Sequence, residues 1–127
     1  MAKRISYTQK TLRELRKRGY TCAIAEKWNA FAGPHGVRID LFGFIDIVAL
    51  DRQRRITIGI QSTGPSGHAE HKRKILACDN ALEWLECRNV IELWSWRKLL
   101  KKKGGKQRIW VARVEEITEE MWKGGAE

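Results

Sequence analysis

The sequence lacks the features that are typical of membrane, secreted, repeat and multidomain proteins. No stretch of its 127 residues approaches the roughly 20 consecutive apolar positions that a membrane-spanning helix needs. The first four residues have no apolar run behind them, so they do not predict a secretion signal. No internal repeat, low-complexity block or linker rich in proline, glycine and serine divides the chain. We therefore expect one domain covering residues 1–127.

Cysteine is scarce and its spacing is uninformative for metal or disulfide chemistry. Cys22, Cys78 and Cys87 are odd in number, and no two of them form a C-x-x-C pair. This excludes a disulfide framework and a zinc site of the usual spacing. We expect three small buried hydrophobic residues in a reducing compartment, and hence an intracellular, cytoplasmic protein.

Acidic residues are few relative to basic ones. The chain has 25 Lys and Arg against 15 Asp and Glu, which gives a formal net charge of +10 and a pI of about 9.9. Such an excess creates a long-range field that attracts polyanions, of which nucleic acid is the most common. An acidic protein, an anionic membrane surface or simple solubility are the alternatives. Hydrophobic residues make up 43% of the chain, which excludes a disordered tail.

The hydrophobic pattern predicts an α/β domain with the order α-β-β-β-α-β-β, a central mixed sheet and flanking helices. Ser6 and Gln9 form a capping-box pattern that starts the first helix, and Gly19 ends it. The predicted elements are a helix over 6–19, strands over 20–28, 38–50 (bent at Gly43) and 56–63, a helix over 68–87, strands over 90–96 and 108–114, and a short C-terminal helix containing Met121 and Trp122. Most of the six tryptophans fall within these elements, so we expect them mainly in the core or at a dimer interface, with stacking on exposed bases as the alternative.

Asp46 carries the strongest indication of chemistry. It lies in the apolar run 44–48, where an ionised carboxylate is costly to bury unless it is paired or bound to a metal. Satisfaction by an arginine or by backbone amides is the structural alternative. Gln61 stands in a similarly apolar run on the next predicted strand. Because two polar groups on adjacent buried strands can satisfy each other, we expect them to share a site.

The run Gly43-Phe44-Ile45-Asp46-Ile47-Val48, followed about one strand later by Ile60-Gln61-Ser62-Thr63 and then a helix, resembles the PD-(D/E)XK nuclease superfamily. Its small phage-type and Holliday-junction-resolvase-like members are the most similar. The resemblance covers residues 6 to about 114 and implies a restriction-endonuclease-like core. It also implies Mg²⁺ (or Mn²⁺), a DNA substrate and a homodimer.

The resemblance assigns roles residue by residue. Asp46 corresponds to the metal-binding aspartate of the family, Gln61 to its second acidic residue, and Thr63 to its catalytic lysine. Gln61 can still offer a carbonyl oxygen to a hard cation, whereas Thr63 cannot replace an ammonium group. Asp40, which shares strand parity with Asp46, is a further candidate ligand, although it is also placed to pair with Arg38. Glu26, an acid on an otherwise apolar strand face, is another candidate, with an edge carboxylate reaching solvent as the alternative.

A lysine from elsewhere would have to replace the missing one. Lys72 and Lys74 on the following helix are the candidates, and His68 shares a helix face with Lys72 at i, i+4 spacing. A solvated helix start is the alternative for both. The predicted catalytic set is thus Asp46, Gln61, Glu26 and Lys72, and the predicted metal ligands are Asp46, Gln61 and Asp40.

Two basic segments are candidates for contacting DNA phosphates. The first helix carries Arg16 and Lys17 near its end, and the stretch 97–106 contains Lys101, Lys102, Lys103 and Lys106. Solvated surface charge is the alternative for each. The sequence supports a metal-dependent DNA endonuclease, acting on branched DNA such as Holliday junctions. A nuclease fold without catalysis that serves in DNA binding or assembly, and a structural protein that neutralises an acidic partner, are the other hypotheses.

Overall fold

A computed structural model describes residues 5–124. The first helix, α1 (Tyr7–Lys17), begins where the sequence predicts it, because the Ser6 side chain accepts a hydrogen bond from the Gln9 backbone amide at 3.1 Å. Gly19, with a φ of +89°, follows its end in a conformation that suits glycine. The start and end signals that the sequence supplies are therefore confirmed.

Within residues 5–124, seven strands form two sheets. They are β1 (Thr21–Ile24), β2 (Lys27–Asn29), β3 (Val37–Ile39), β4 (Ile47–Asp51), β5 (Ile56–Thr63), β6 (Val90–Leu100) and β7 (Arg108–Ile117). The central sheet has the order β1-β4-β5-β6-β7, and β2 pairs with β3 alone. The β5–β6 pair is parallel and the other pairs are antiparallel. The predicted α/β class with a mixed central sheet is confirmed.

Helices cover both faces of the central sheet. The face covered by α1 buries Leu12 and Leu15 against Ile58, Ile60 and Trp94. Burying side chains of this size contributes about 1.5–3 kcal/mol each. Because side chains alternate along a strand, positions 59, 61 and 63 of β5 project to the opposite face.

That opposite face is covered by two helices where the sequence predicts one. The predicted helix over 68–87 is interrupted, and α2 (His68–Leu76) is followed by α3 (Asp79–Glu86). Cys78 separates them with an extended ψ of 113°. Ile75 and Ala81 from these helices pack with Ile91 and Leu93 in a second core cluster. No glycine or proline marks the break, so the sequence pattern alone does not show it.

The predicted strand over 20–28 is also wrong in its continuity. Ala25 still donates its backbone amide to the Asp46 carbonyl oxygen at 2.8 Å, and after it the chain leaves the central sheet. It then forms a hairpin of β2 and β3, in which Lys27 pairs with Ile39 and Asn29 with Val37. The β2–β3 hairpin (residues 27–39) is thus an addition beside the central sheet.

The predicted strand over 38–50 is likewise broken, between β3 and β4. Phe42 and Gly43 both have positive φ, 55° and 88°, and reverse the chain in a tight turn closed by a bridge between Leu41 and Ile45. A phenylalanine in this region is strained. The turn is held by α3, because Asn80 Nδ2 donates to the Phe42 carbonyl oxygen at 3.1 Å.

Strand β6 continues to Leu100, beyond the predicted end at Trp96, and pairs with β7 along its whole length. Part of the predicted basic loop is therefore a two-stranded β6–β7 arm (residues 96–112). The short helix α4 (Glu120–Gly124) contains Met121 and Trp122 as predicted.

The cysteines are free, but their predicted burial is wrong, since Cys22 and Cys78 are only half-buried and Cys87 is exposed. Across residues 5–124, no helix combines the length and apolar character required to cross a membrane.

Candidate metal centre

Asp46 and Gln61 face each other across two central strands. Asp46 precedes β4, and its backbone amide donates to the Ile60 carbonyl oxygen at 2.8 Å. The pairing of Ile47 with Ile60 places Asp46 opposite Gln61, so both side chains project to the α2–α3 face. Each residue is only 6% exposed. The structure thus brings together the two residues that the sequence places on adjacent strands.

Two further carboxylates come from the ends of the β2–β3 hairpin. Lys27 pairs with Ile39, so the residues just outside that pair, Glu26 and Asp40, also lie side by side. Carboxylate oxygens of Glu26, Asp40 and Asp46 all lie within 4.8 Å of one another. The sequence offered Glu26 and Asp40 as alternative companions of Asp46, and the hairpin supplies both. Arg38 contacts Glu26 at 3.5 Å, so the pairing of Arg38 with Asp40 that the sequence left open does not form.

Gln61 completes the group and leaves one oxygen unused. Its Nε2 atom donates to Asp40 Oδ2 at 3.3 Å, and its carbonyl oxygen Oε1 is buried without a hydrogen-bond partner in residues 5–124. A buried acceptor without a partner costs about 1–3 kcal/mol, and native proteins rarely tolerate one. A hard cation among the carboxylates would give this oxygen a partner. The donor set, three carboxylates and one amide oxygen, fits Mg²⁺ or Mn²⁺.

The electrostatics of the group favour a cation as well. Burial, and after it a hydrogen bond with the Asp40 carboxyl, raise the pKa of Asp46 to about 8, against the smaller lowering effect of the Ser62 backbone amide. Ser62 donates that amide to Asp46 Oδ2 at 2.9 Å. Burial also raises the pKa of Glu26, against the opposing effect of Arg38. The site thus disfavours the charged forms of Asp46 and Glu26.

His68 and Lys72 point at one site, as their helical spacing predicts, but their contacts there are with Glu115 of β7. Lys72 Nζ contacts Glu115 Oε2 at 2.8 Å, and His68 Nε2 contacts Glu115 Oε1 at 2.7 Å. His68 Nδ1 also lies 2.5 Å from Ser95 Oγ. The Lys72 and His68 side chains lower the pKa of Glu115. Lys74, the other candidate, contacts Glu70 at 3.5 Å on the exposed side of α2.

This second polar cluster, formed by His68, Lys72 and Glu115, lies on the same face of the sheet as the first cluster. We call the first cluster, Glu26, Asp40 and Asp46, the acidic group. Gln61 pairs with Leu93, and Leu93 pairs with Glu115, so the three residues form a row across β5, β6 and β7. Two strand spacings, about 10 Å, separate the backbones of Gln61 and Glu115. Sequence analysis missed Glu115. Its only signal was an acidic residue within an otherwise β-rich run.

Thr63 occupies a closed position. It is 6% exposed, and Gly67, at the start of α2, approaches so closely that a Cβ there would overlap the Thr63 Oγ1 atom. The position where the family resemblance places a lysine therefore has no room for a long side chain.

The predicted phosphate contacts divide into two groups. Lys101, Lys102, Lys103 and Lys106 are exposed at the tip of the β6–β7 arm. Arg16 and Lys17 are exposed at the end of α1, close to where β1 begins. Because α1 covers the other face, and β1 begins at the opposite end of the sheet from Asp46, the structure does not bring Arg16 and Lys17 to the acidic group.

The β6–β7 arm and the β2–β3 hairpin begin at one end of the central sheet. Strands β1, β5 and β6 run in the same direction, as their pairing shows. The hairpin follows the end of β1, and β6 continues five residues beyond Ser95, its last partner on β5, or about 17 Å. The acidic group lies at this same end, where β5 finishes.

Comparisons of the chain with protein-family models, curated proteins and solved structures gave no match. A function for the protein therefore has to be inferred from the geometry of the site.

Proposed function

We propose that this protein is a divalent-cation-dependent endonuclease that hydrolyses DNA phosphodiester bonds, built on a restriction-endonuclease-like core. The observation that carries the proposal is the convergence of Glu26, Asp40 and Asp46 beside Gln61, whose Oε1 atom is buried without a partner. A buried carboxyl beside two further acids is unfavourable by itself, since Asp40 and Glu26 both oppose the ionisation of Asp46. A cation-binding role gives the arrangement a physical reason.

Some residues of the site would bind the cation, and others would hold those residues in position. Asp46, Asp40, Glu26 and Gln61 would hold Mg²⁺ or Mn²⁺, which in such sites stabilises the charge that develops on a phosphoryl group. The Ser62 backbone amide fixes the Asp46 carboxylate through its hydrogen bond of 2.9 Å. Asn80 fixes the turn between Asp40 and Asp46 by holding the Phe42 carbonyl oxygen.

The distribution of charge supports DNA as the substrate. The net charge of +10 attracts a polyanion, although the acidic group itself would repel one. The β6–β7 arm carries seven Lys and Arg and no acidic residue between positions 96 and 112. It would bind the phosphate backbone beside the acids and offset that repulsion. Branched DNA and a homodimer, both implied by the family resemblance, remain part of the proposal.

A second candidate is a nuclease fold that binds DNA without cutting it. Thr63 stands in a closed position where the family resemblance places a lysine. Lys72, the predicted replacement for that lysine, contacts Glu115 instead of the acidic group. In this case the cation would serve to neutralise the acids and allow DNA to approach, without turnover.

A cleavage assay distinguishes the two candidates. Supercoiled, linear and four-way-junction DNA would each be incubated with the purified protein in Mg²⁺, Mn²⁺ or EDTA. The first proposal expects cutting that requires the cation and is lost in Asp46→Ala. Salt-sensitive binding without cutting would support the second candidate.

The cleavage assay needs two controls. Cutting that persists in Asp46→Ala would indicate a contaminating nuclease and contradict the assignment. Arg52→Ala, in the β4–β5 turn at the other end of the sheet, should leave cutting unchanged. Absence of both binding and cutting at moderate salt would reject both candidates.

A further inference from the structure

The β2–β3 hairpin exposes apolar side chains that its own strands cannot bury. Phe31, in the connection between the strands, is 99% exposed, and Trp28 is 62% exposed. Val37, Ile39 and the neighbouring Phe42 are also largely exposed. Monomeric proteins seldom expose such a concentration of large apolar groups without a partner for it.

The hairpin holds its aromatic side chains in a defined frame. Trp28 pairs with Arg38 across the two strands. Gly36 has a φ of +83°, and a Cβ at that position would overlap the Trp28 indole, so the ring lies directly on the glycine backbone. Asn29 Oδ1 accepts a hydrogen bond from the Phe31 backbone amide at 3.0 Å. Phe31 is thus displayed on an ordered turn.

The charge of the hairpin favours one class of partner. Residues 27–39 include Lys27, His35 and Arg38 and contain no acidic residue. An aromatic surface with basic side chains among it is typical of sites where bases stack and phosphates are contacted at the same time. Two copies of the same hairpin would place like charges together, which disfavours self-association through this surface.

The hairpin is joined directly to the acidic group. Glu26 precedes β2 and Asp40 follows β3, so both acids stand at its base. Phe31 is five residues from Glu26, which limits their separation to about 17 Å. At about 3.4 Å per nucleotide along a strand, this reach corresponds to roughly five nucleotides.

We propose that the β2–β3 hairpin is a base-stacking element, in which Phe31 and Trp28 engage unpaired bases of DNA within a few nucleotides of the acidic group. The proposal rests on the proposed nuclease or DNA-binding function and specifies its substrate. Bases in an intact duplex are already stacked on one another, so the exposed rings gain contact only where a gap, branch or end leaves bases free. The hairpin would therefore select DNA with single-stranded character.

Equilibrium binding of the full chain to two matched DNAs tests this. One is a fully paired duplex, and the other has the same sequence with a short central single-stranded gap, each labelled for fluorescence anisotropy in Ca²⁺. The variants are Phe31→Ala, Phe31→Trp and Leu50→Ala. Leu50 is 49% exposed at the opposite end of the central sheet and serves as the matched control.

The wild type should bind gapped DNA more tightly than the duplex. Phe31→Ala should lose roughly 5-fold to 100-fold in affinity for gapped DNA, the range expected for one stacked base, with little change for the duplex. Phe31→Trp should retain the preference, and Leu50→Ala should behave as the wild type. A 2-aminopurine placed in the gap should lose fluorescence on binding wild type but not on binding Phe31→Ala.

Other outcomes would overturn the inference, and they differ from a failure of the proposed function. If the wild type binds or cuts DNA but Phe31→Ala keeps the same preference and the same 2-aminopurine signal, the stacking role is wrong and the metal-dependent function stands. If Phe31→Ala instead converts a dimer to a monomer in sedimentation, with its preference unchanged, the hairpin is a protein interface. If the wild type binds no DNA, both proposals fail.

Discussion

Gln61, on β5, donates its Nε2 amide at 3.3 Å to Oδ2 of Asp40, the residue that follows β3 and lies 21 positions away in sequence. This contact connects the β2–β3 hairpin to the central strand β5. It also holds the Gln61 amide, whose Oε1 atom is the unpartnered oxygen, beside the carboxylate of Asp40. The neutral Gln61 is therefore a central residue of the candidate site.

The role of Gln61 can be tested by removing its side-chain oxygen in one variant and adding a negative charge in another. Gln61→Met removes the oxygen at similar volume and should weaken Mn²⁺ binding on the order of tenfold, because one ligand is lost. Gln61→Glu adds a negative charge and should strengthen Mn²⁺ binding by a similar factor, while lowering stability in EDTA. Isothermal titration calorimetry with Mn²⁺ measures both. Unchanged affinity in both variants would remove Gln61 from the ligand set.

The raised pKa of Asp46 predicts how stability depends on pH without metal. Because the pKa is about 8 in the folded protein and 3.8 as a reference value, the folded state binds more protons than the unfolded state between these limits. The free energy of unfolding in EDTA should therefore fall as pH rises from about 5 to 8, by up to about 1.4 kcal/mol per pH unit. Urea unfolding at several pH values measures the slope.

Asp46→Asn is the matched variant for that experiment, since an amide does not titrate. Its slope over the same pH range should be much smaller, and it should be more stable than wild type at pH 8 in EDTA. Mg²⁺ should stabilise the wild type most at the high end of the range, because metal ligands must be deprotonated. The lowered pKa of Glu115 reduces the free energy of unfolding only as the pH falls to acidic values, below the range of about 5 to 8. If the free energy of unfolding of the wild type did not change with pH, a raised pKa for the buried Asp46 carboxyl would be contradicted.

The sequence predicts those parts of the fold that depend on local pattern. Ser6 and Gln9 start α1, and the alternation along β5 assigns Gln61 and Thr63 to one face. The break after Ala25 depends on long-range pairing, since no local residue type requires the chain to leave the central sheet there. At the second break Gly43 predicts a bend, and the structure has a full turn instead. Local propensity therefore extends each predicted strand too far.

Contacts between distant residues account for the rest of the site. The meeting of Glu26 with Asp40 requires the register of the β2–β3 hairpin, which periodicity does not specify. The contact of Lys72 with Glu115 joins residues 43 positions apart. Helical spacing correctly places Lys72 and His68 on one side of α2, but it cannot determine which strand that side meets.

The contact with Glu115 gives Lys72 a structural role that can be separated from catalysis. Lys72→Met should lower the free energy of unfolding by about 1 kcal/mol, because it leaves Glu115 partly buried without its closest cation. It should leave Mn²⁺ affinity unchanged, since the acidic group lies about two strand spacings away. Urea unfolding and calorimetry test the two effects. A loss of cleavage of 100-fold or more at unchanged stability would instead establish Lys72 as the replacement lysine.

The closed position of Thr63 predicts that this position cannot accommodate a lysine. Thr63→Lys would force a longer, charged side chain against Gly67 and should destabilise the protein by about 2 kcal/mol or more. Cleavage should not increase. Thr63→Val, which keeps the shape without the hydroxyl, is the control and should cost much less. A stable Thr63→Lys protein with faster cleavage would show that the site opens to accept the lysine, contrary to the packing described.

The tip of the β6–β7 arm should dominate the salt dependence of DNA binding. Each phosphate contact contributes about 0.9 to the slope of log affinity against log salt concentration, so replacing Lys101, Lys102, Lys103 and Lys106 by alanine should lower that slope by about 3 to 4. The affinity for duplex and gapped DNA should fall by the same factor, because phosphate contacts carry no structural preference. The matched control is the pair Arg16→Ala and Lys17→Ala, on the other face of the sheet, which should change the slope by less than about 1. If each replacement changed the slope equally in both sets, binding would depend on the overall positive charge of the protein. That result would contradict a role specific to the arm.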